Sequence, residues 1–226
     1  MTQVSYVGEE LEVFSEAHNW KRYLRSLIAP YVGGNVLEVG AGIGSATLAL
    51  QSGTEQSWKC LEPDSNLVAR LKDKLRTETP PVPPEVLSGT VADLDPSERF
   101  DSILYVDVLE HIEEDAEELG AVARHLATNG FLIVIAPAHQ WLFSDFDREI
   151  GHFRRYSRSS LQNVSPTSLI PVISRYLDSA GVLLSGANRL LLRESHPSVP
   201  QIRIWDRFVV PVSRIVDPLL GWRVGK

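Results

Sequence analysis

Val36-Leu37-Glu38-Val39-Gly40-Ala41-Gly42-Ile43-Gly44 is the stretch on which the reading of the chain turns. A short apolar run that ends in closely spaced glycines and gives way to Ser45–Gln51 reads as a buried strand, a tight loop and the start of a helix. Glycines at such a turn let a ligand approach the backbone and aim the helix amino terminus at it. Every dinucleotide-binding sheet shares that much, but two details discriminate. The spacing is G-x-G-x-G, with Ser45 where G-x-G-x-x-G wants its third glycine. Glu38 stands two residues before the first glycine, on the same side of the strand. A carboxylate there repels a diphosphate and attracts the ammonium of an amino-acid tail, directly or through water.

Working outward, Trp58–Leu61 is the next strand, closed by Glu62 and Pro63. A carboxylate at that place accepts hydrogen bonds from both ribose hydroxyls of an adenosine. It also fits a surface acid beside Asp64, the N-cap of a helix carrying Leu67, Leu71 and Leu75. Val86–Gly89 is a third strand, and Thr90, Val91 and Asp93 after it are placed for an adenine edge, although Asp93 equally suits a turn before Asp95-Pro96. Ser102–Val106 is a fourth strand, with the backbone from Tyr105 through Asp107 to Val108 beside a methionine portion. Glu113–Ala127 reads as a helix stopped by Asn129-Gly130, and Phe131–Ala136 as a fifth strand. Gly40, Ala41, Gly42 and Gly44 complete a set that favours S-adenosyl-L-methionine, with S-adenosyl-L-homocysteine as product, over NAD. Continuously apolar strands alternating with helices imply a parallel sheet covered on both faces, with ligands beyond the carboxyl ends of the strands.

VLEVGAGIG resembles the first motif of the class I S-adenosylmethionine-dependent methyltransferases, the acid of CLEPD their second, and FDSILYVDVLEHI their fourth strand with its following L-E-H. The resemblance covers about residues 18 to 160 and is specific at the superfamily level. APAHQWLFSDFDREIGHFRRYS is similar to a bacterial subgroup of type 11/12-like methyltransferases, often encoded near glycosyltransferases, in which a Trp precedes D-x-x-x-G-H-x-R-R-Y. HNWKRYLRSLIAPYVGGNVLEVG resembles that subgroup's amino end. The resemblance implies an α/β, doubly wound, mostly parallel Rossmann-like methyltransferase sheet with helices on both faces. It implies methyl transfer to a small acceptor, anionic or linked to a glycan or lipid, with O-methylation favoured and N or C open. It also implies a last antiparallel strand, expected just after Gly225-Lys226.

A chain of 226 residues suits one domain, read as a helical cap over 1–30, a cofactor-binding core over 31–138 and an acceptor-binding region over 139–226. Cys60 is the single cysteine, so no internal disulfide forms, which suits the cytoplasm. Met1–Glu16 is acidic and lacks the apolar core of a secretory signal, and Phe131–Ala138 is strand length rather than membrane length. Residues 1–147 carry 10 Lys+Arg against 24 Asp+Glu, whereas residues 148–226 carry 12 against 5, and eleven of those twelve are arginine. That asymmetry either draws an anionic partner to the C-terminal third or neutralises the acidic part. Thr79–Pro84 is a stiff connector.

Methyl transfer from a sulfonium is an in-line displacement, and alignment alone can account for about 7 to 11 kcal/mol of the barrier. An oxygen or nitrogen acceptor also needs a base, for which Asp107, His111, His139 and His152 are candidates. His152 lies in Gly151-His152-Phe153-Arg154-Arg155-Tyr156 and serves either as base or to hold the loop. His111 suits a structural place at the start of an acidic helix, and also faces the acceptor region with His139. Trp141, Phe143, Phe146, Phe153 and Tyr156 either stack on the acceptor or pack a core, and Arg154, Arg155 and Arg158 suit a phosphate or carboxylate. Six scattered histidines and one cysteine show no metal-ligand spacing. Tyr-Val-Asp-Val at the fourth strand and the acidic net charge disfavour a nucleic acid.

Further on, Leu169–Leu177 reads as a strand, Gly181–Leu192 as a helix, and Gln201–Val210 as a helix stopped by Pro211. Val182–Leu192 with Arg189 and Arg193, and Ile202–Val210 with Arg203 and Arg207, offer faces for peripheral contact with an anionic membrane. Buried amphipathic helices explain them as well. No feature sets an oligomeric state. The rival classes are an NAD(P)-dependent oxidoreductase and a non-catalytic cofactor-binding module.

Overall fold

Five apolar runs pair as parallel strands in the computed structural model, which describes residues 10–184 and 198–226. They are β1 (Asn35–Val39), β2 (Ser57–Glu62), β3 (Glu85–Ser88), β4 (Phe100–Val106) and β5 (Leu126–Ile135), in the order β3-β2-β1-β4-β5. The chain builds outward from β1 to β3, then returns to the other side of β1. That reversal makes the carboxyl ends of β1 and β4 the topological switch point, where sheets of this kind bind ligands. Val39 pairs with Leu61 on one side and with Tyr105 on the other. Leu37, Leu61, Ile103, Leu104 and Tyr105 are fully buried, the covered-sheet pattern read from their continuous hydrophobicity.

Helices α1 (Glu10–Ser15) and α2 (His18–Ile28) precede the sheet, and α3 (Ser45–Leu50), α4 (Ser65–Thr77) and α5 (Asp115–Val122) link its strands. Asp64 caps α4 as expected, accepting from Asn66 N at 2.7 Å and Leu67 N at 3.2 Å. The helix expected over Glu113–Ala127 is shorter, because β5 begins at Leu126 and Asn129-Gly130 lies inside it. Asn129 takes a positive φ of 65° where the β4–β5 register breaks, so the dipeptide makes a bulge rather than a helix stop.

The described residues fall into two compact units. The first comprises Leu24–Leu109 and Glu114–Ile135; the second comprises residues 10–23, Glu110–Glu113 and residues 136–184 and 198–226. The second unit carries α6 (Asp145–Glu149), α7 (Arg158–Val164), α8 (described over 179–184), α9 (Val199–Ile204) and α10 (Val210–Leu219). Three buried aspartates order it. Asp206 accepts from Asn19 N and Trp20 N at 3.0 and 2.8 Å, at the start of α2. Asp217 accepts from Asp178 N, Ser179 N and the Tyr23 hydroxyl at 2.8 to 2.9 Å. Asp178 accepts from Ser213 Oγ, Trp205 Nε1 and Gly181 N.

Leu169–Leu177 is no strand. Residues 170–178 are irregular, Pro171 has no N–H to give a ladder, and Ile170 and Val172 are exposed. The helix expected over Gly181–Leu192 is described only to residue 184; the remainder, with Arg189 and Arg193, lies outside the described residues. Pro211 does not end its helix either. A π-helical turn at Trp205–Val209 leads into α10, placing Pro211 in the first turn of that helix, where its missing N–H costs nothing. No helix among the described residues is long and apolar enough to cross a membrane.

Candidate functional site

The glycine loop hangs from β2. Gly40 N and Ala41 N both donate to Leu61 O, at 2.9 and 3.0 Å, and Gly40, Gly42 and Gly44 all take positive φ. A Cβ on Gly40 would lie 2.5 Å from Val108 Cγ2, and one on Gly44 2.5 Å from Leu71 Cδ1, so side chains are excluded sterically as well as conformationally. Glu62 is buried at the end of β2. Its Oε2 accepts from Gly42 N at 2.8 Å and its Oε1 from Asp64 N at 3.0 Å, while burial, outweighing those bonds, raises its pKa. Each oxygen keeps a further acceptor position, and two such positions on one fixed carboxylate fit a ribose diol.

Glu38 is buried, and its Oε2 accepts from Trp58 Nε1 at 2.8 Å and from Cys60 Sγ at 3.7 Å, tying β1 to β2. Burial pushes its pKa up to about 7 against the hydrogen bonds of Thr47, Trp58 and Cys60, and the charge of Glu62 adds to the rise. Thr90 and Asp93 form a capping box around a 3-10 turn, with Asp93 Oδ2 accepting from Thr90 N at 2.8 Å, and Val91 between them is buried. Pro63 is half-buried next to Glu62. Only the backbone of Tyr105 can serve a ligand, since its buried hydroxyl donates to Glu118 at 2.7 Å. Asp107 is exposed at the end of β4, in the left-handed region at φ 54°, with its N–H on Ile135 O. A non-glycine residue in that conformation stores strain of a kind that gathers at working sites. The fold thus brings the cofactor set together within the first unit.

The acceptor candidates lie in the second unit, organised by Asp147, a residue to which the sequence reading gave no role. Asp147 Oδ1 accepts from His152 Nδ1 and Arg155 Nε, both at 2.9 Å; Oδ2 accepts from Arg155 Nη2 at 2.9 Å and Ser144 N at 2.7 Å. Burial works to raise the Asp147 pKa, but His152, Arg155 and Ser144 together hold it well below the carboxylate range. Arg155 is thus forked onto Asp147. Arg154 donates to Glu113 O at 2.8 Å, and Arg158 donates to Trp222 O.

His152 Nε2 points to Glu110, 3.8 Å from its Oε1, and the His111 ring stands edge-on to His152 at 4.5 Å. Burial first, then the neighbouring His152, lowers the His111 pKa to about 4. Glu110, His111 and His152 bring ligand atoms within 4.8 Å of one another. The fold joins histidines that sequence spacing leaves apart. His139 is held by its Nε2 on Gly225 O at 2.8 Å and is stacked on Tyr176. Trp141 is exposed, Phe143 lies under the Arg148 guanidinium, and Tyr156 is buried, bridging to Ala138. Glu110 and Asp147 were the residues missed. Both sit inside the L-E-H and D-x-x-x-G-H-x-R-R-Y signatures, which were the available signal.

The sequence model of a family described as Methyltransferase domain matches residues 13–166. A curated relative, the ubiquinone biosynthesis O-methyltransferase of Rhodopseudomonas palustris (strain HaA2), is 27% identical over 106 residues, 47% of this chain and 41% of its own length. The chain thus spans about two fifths of that relative. Among solved structures, the YcgJ protein of Bacillus subtilis aligns with a TM-score of 0.55 at 22% identity, over 63% of this chain and 65% of that one. The mitomycin 7-O-methyltransferase MmcR aligns with a TM-score of 0.53 at 17% identity, over 66% of this chain and 46% of that one. At those identities the structures share the fold. The family match spans more than half of this sequence and the parallel sheet agrees with it, so the chain belongs to the methyltransferase domain family, class I enzymes whose cofactor is S-adenosylmethionine.

Proposed function

We propose that this chain transfers a methyl group from S-adenosylmethionine to an oxygen of a small polar acceptor. The observation that carries the reading is Glu62, fixed between Gly42 N and Asp64 N beneath the positive-φ glycines at the switch point of the sheet. When bound, the cofactor supplies a methyl group already activated on a sulfonium. The chain's own part is to orient the adenosine through Glu62, keep the loop tight against Val108, and present an acceptor oxygen.

An oxygen acceptor is supported by the names of two similar proteins, one an O-methyltransferase of ubiquinone biosynthesis and the other of mitomycin. It is also supported by the imidazole of His111, whose pKa burial lowers to about 4, so that the ring is uncharged at neutral pH. The arginines of residues 148–226 suit an anionic acceptor, or one carried on a glycan or lipid. The free, buried Cys60 fits a cytoplasmic setting.

Calorimetry with S-adenosylhomocysteine and with NADH tests the cofactor half: binding of the first alone is expected, and binding of NADH alone would overturn it. Incubation with methyl-labelled cofactor and a small-molecule extract, followed by mass spectrometry of the product, tests the acceptor half. A methyl ether or ester is the expected product; label found only on nitrogen or carbon would reject the oxygen.

A further inference from the structure

The geometry points to a divalent-cation site made by Glu110, His111 and His152, with Asp147 as the outer carboxylate. The inference rests on the methyl-transfer reading only for what the ion does, not for whether it binds. The three ligand atoms lie within 4.8 Å of one another, and a bound ion with ligands at about 2.0 to 2.2 Å would need only a small inward movement of the side chains. His152 Nδ1 lies 2.9 Å from Asp147 Oδ1 and its Nε2 3.8 Å from Glu110 Oε1, so the ring spans the two carboxylates. The Asp147–His152 pair is the carboxylate–histidine arrangement that orients metal-ligating imidazoles and raises their basicity. Arg155, forked onto Asp147, keeps that outer carboxylate in place and offsets its charge.

Two imidazoles and one carboxylate suit zinc, manganese or ferrous iron better than calcium, and three protein ligands leave coordination positions open. The ligand those positions would take is a hydroxyl of the acceptor. A bound cation would lower the pKa of that oxygen. This assigns to an ion the activation that the sequence reading gave to His152 as a base, since His152 Nε2 faces Glu110.

Metal analysis and calorimetry on the chelator-stripped chain, titrated with zinc and separately with manganese, test the site. One equivalent per chain is expected. Glu110→Gln and His152→Gln should each remove binding, and Asp147→Asn should weaken it by about 10 to 100-fold. No uptake of either ion, or uptake unchanged in Glu110→Gln and His152→Gln, overturns the site. Binding of S-adenosylhomocysteine, followed in the same samples, reports that each variant is folded. It also separates failure of the ion site from failure of the methyltransferase reading, which loss of that binding in the unaltered chain would signal.

A different observation carries a second proposal. The helical stretch Val199–Leu219 is inverted: Asp206, Ser213 and Asp217 are buried, whereas Ile204, Phe208, Ile215 and Leu219 are 59, 61, 68 and 80% exposed. The exposed charges of the stretch are Arg203, Arg207 and Arg214, of which Arg203 is paired with Glu16 at 3.0 Å. We propose that this face docks on an anionic lipid surface, inserting its apolar stripe with the arginines at headgroup level. A second copy of the chain would set arginine against arginine, which is why lipid is the occupant chosen.

Flotation of the full chain with phosphatidylcholine vesicles, with and without phosphatidylglycerol, tests this. Binding is expected only with phosphatidylglycerol, weakening as salt rises. It should fall at least about tenfold in both Phe208→Ser/Ile215→Ser and Arg207→Ser/Arg214→Ser, with unchanged thermal midpoints. Absence of flotation, equal flotation on phosphatidylcholine alone, or a dimer in sedimentation that Phe208→Ser/Ile215→Ser dissolves would each overturn it.

Discussion

The sheet unit and the unit built on residues 136–184 and 198–226 satisfy their buried polar groups by different means. In the first, the β1–β5 ladder pairs the backbone with itself, and its buried acids reach no further than the neighbouring turn or strand, Asp64 capping α4 and Glu38 and Glu62 bonding Trp58 and Gly42, 20 residues away. In the second, backbone donors at the starts of α2 and α8 are served by carboxylates far away in the sequence. Asp206 reaches back to Asn19 and Trp20, and Asp217 to Tyr23, Asp178 and Ser179. A ladder distributes its bonds over many residues, so the loss of one side chain leaves most of it standing. A hub carboxylate concentrates them, and its removal strands several buried donors at once.

The sharpest break of that contrast is Asp217→Ala. The fully buried carboxylate takes two backbone N–H groups and a hydroxyl, and its loss is expected to cost about 3 to 5 kcal/mol in urea unfolding. A cost no greater than that of trimming an ordinary helix cap would mean that water reaches those donors and that the hub is not what orders the second unit.

Next in size is a pH effect confined to the sheet unit. Burial raises the Glu38 pKa from 4.5 to about 7, so the folded chain prefers the protonated carboxyl. The stability tied to that proton is fully present below the unfolded value and is lost as pH rises from 4.5 through about 7. Glu38→Gln keeps an uncharged acceptor for Trp58 and has no proton to lose. Between pH 4.5 and 7 the stability gap between parent and variant should therefore shift in the variant's favour, by at most about 3 kcal/mol. A gap that stays flat in ligand-free unfolding curves would show that Glu38 is ionised at no such cost.

The same contrast explains what could be read without coordinates. The sheet unit is governed by patterns local in sequence: apolar runs, glycines where φ must be positive, and an aspartate immediately before the helix it caps. These gave the first three strands within a residue, β4 within two and the carboxyl end of β5 within one, and the Gly40–Gly44 loop as the turn after β1. Where a local signal has two structural solutions, the reading went astray. Asn129-Gly130 stops a helix or makes a bulge by the same chemistry, and only the β4 partner decides. Leu169–Leu177 has strand composition but no ladder, and Pro211 ends a helix unless a preceding π turn resets the register. The side-chain hubs were invisible because an aspartate looks alike in sequence whether exposed or holding two distant N–H groups. Asp147 shows the boundary well: it stood inside the quoted D-x-x-x-G-H motif, yet only folding places its oxygen on His152 Nδ1 and turns Arg155 inward.

Glu62→Ala sharpens the comparison from the functional side. It removes the acceptor of Gly42 N and the position for a ribose diol, so affinity for S-adenosylhomocysteine should fall by about 10 to 100-fold, or about 1.4 to 2.8 kcal/mol. Calorimetry checks it. Undiminished affinity would remove Glu62 from the site and with it the observation on which the cofactor reading stands.

The smallest effect separates holding a helix from holding a ligand. Asp64 accepts from Asn66 N and Leu67 N through its side chain, but it serves Glu62 through its backbone N–H, which alanine retains. Asp64→Ala should thus cost about 1 kcal/mol of stability, the worth of an N-cap, while affinity for S-adenosylhomocysteine changes by less than about twofold. Thermal unfolding and calorimetry on one preparation read both quantities. If affinity falls as steeply as in Glu62→Ala, the cap and the ribose carboxylate act as one unit. The local bonds of the sheet unit would then be as concentrated as the hubs of its counterpart.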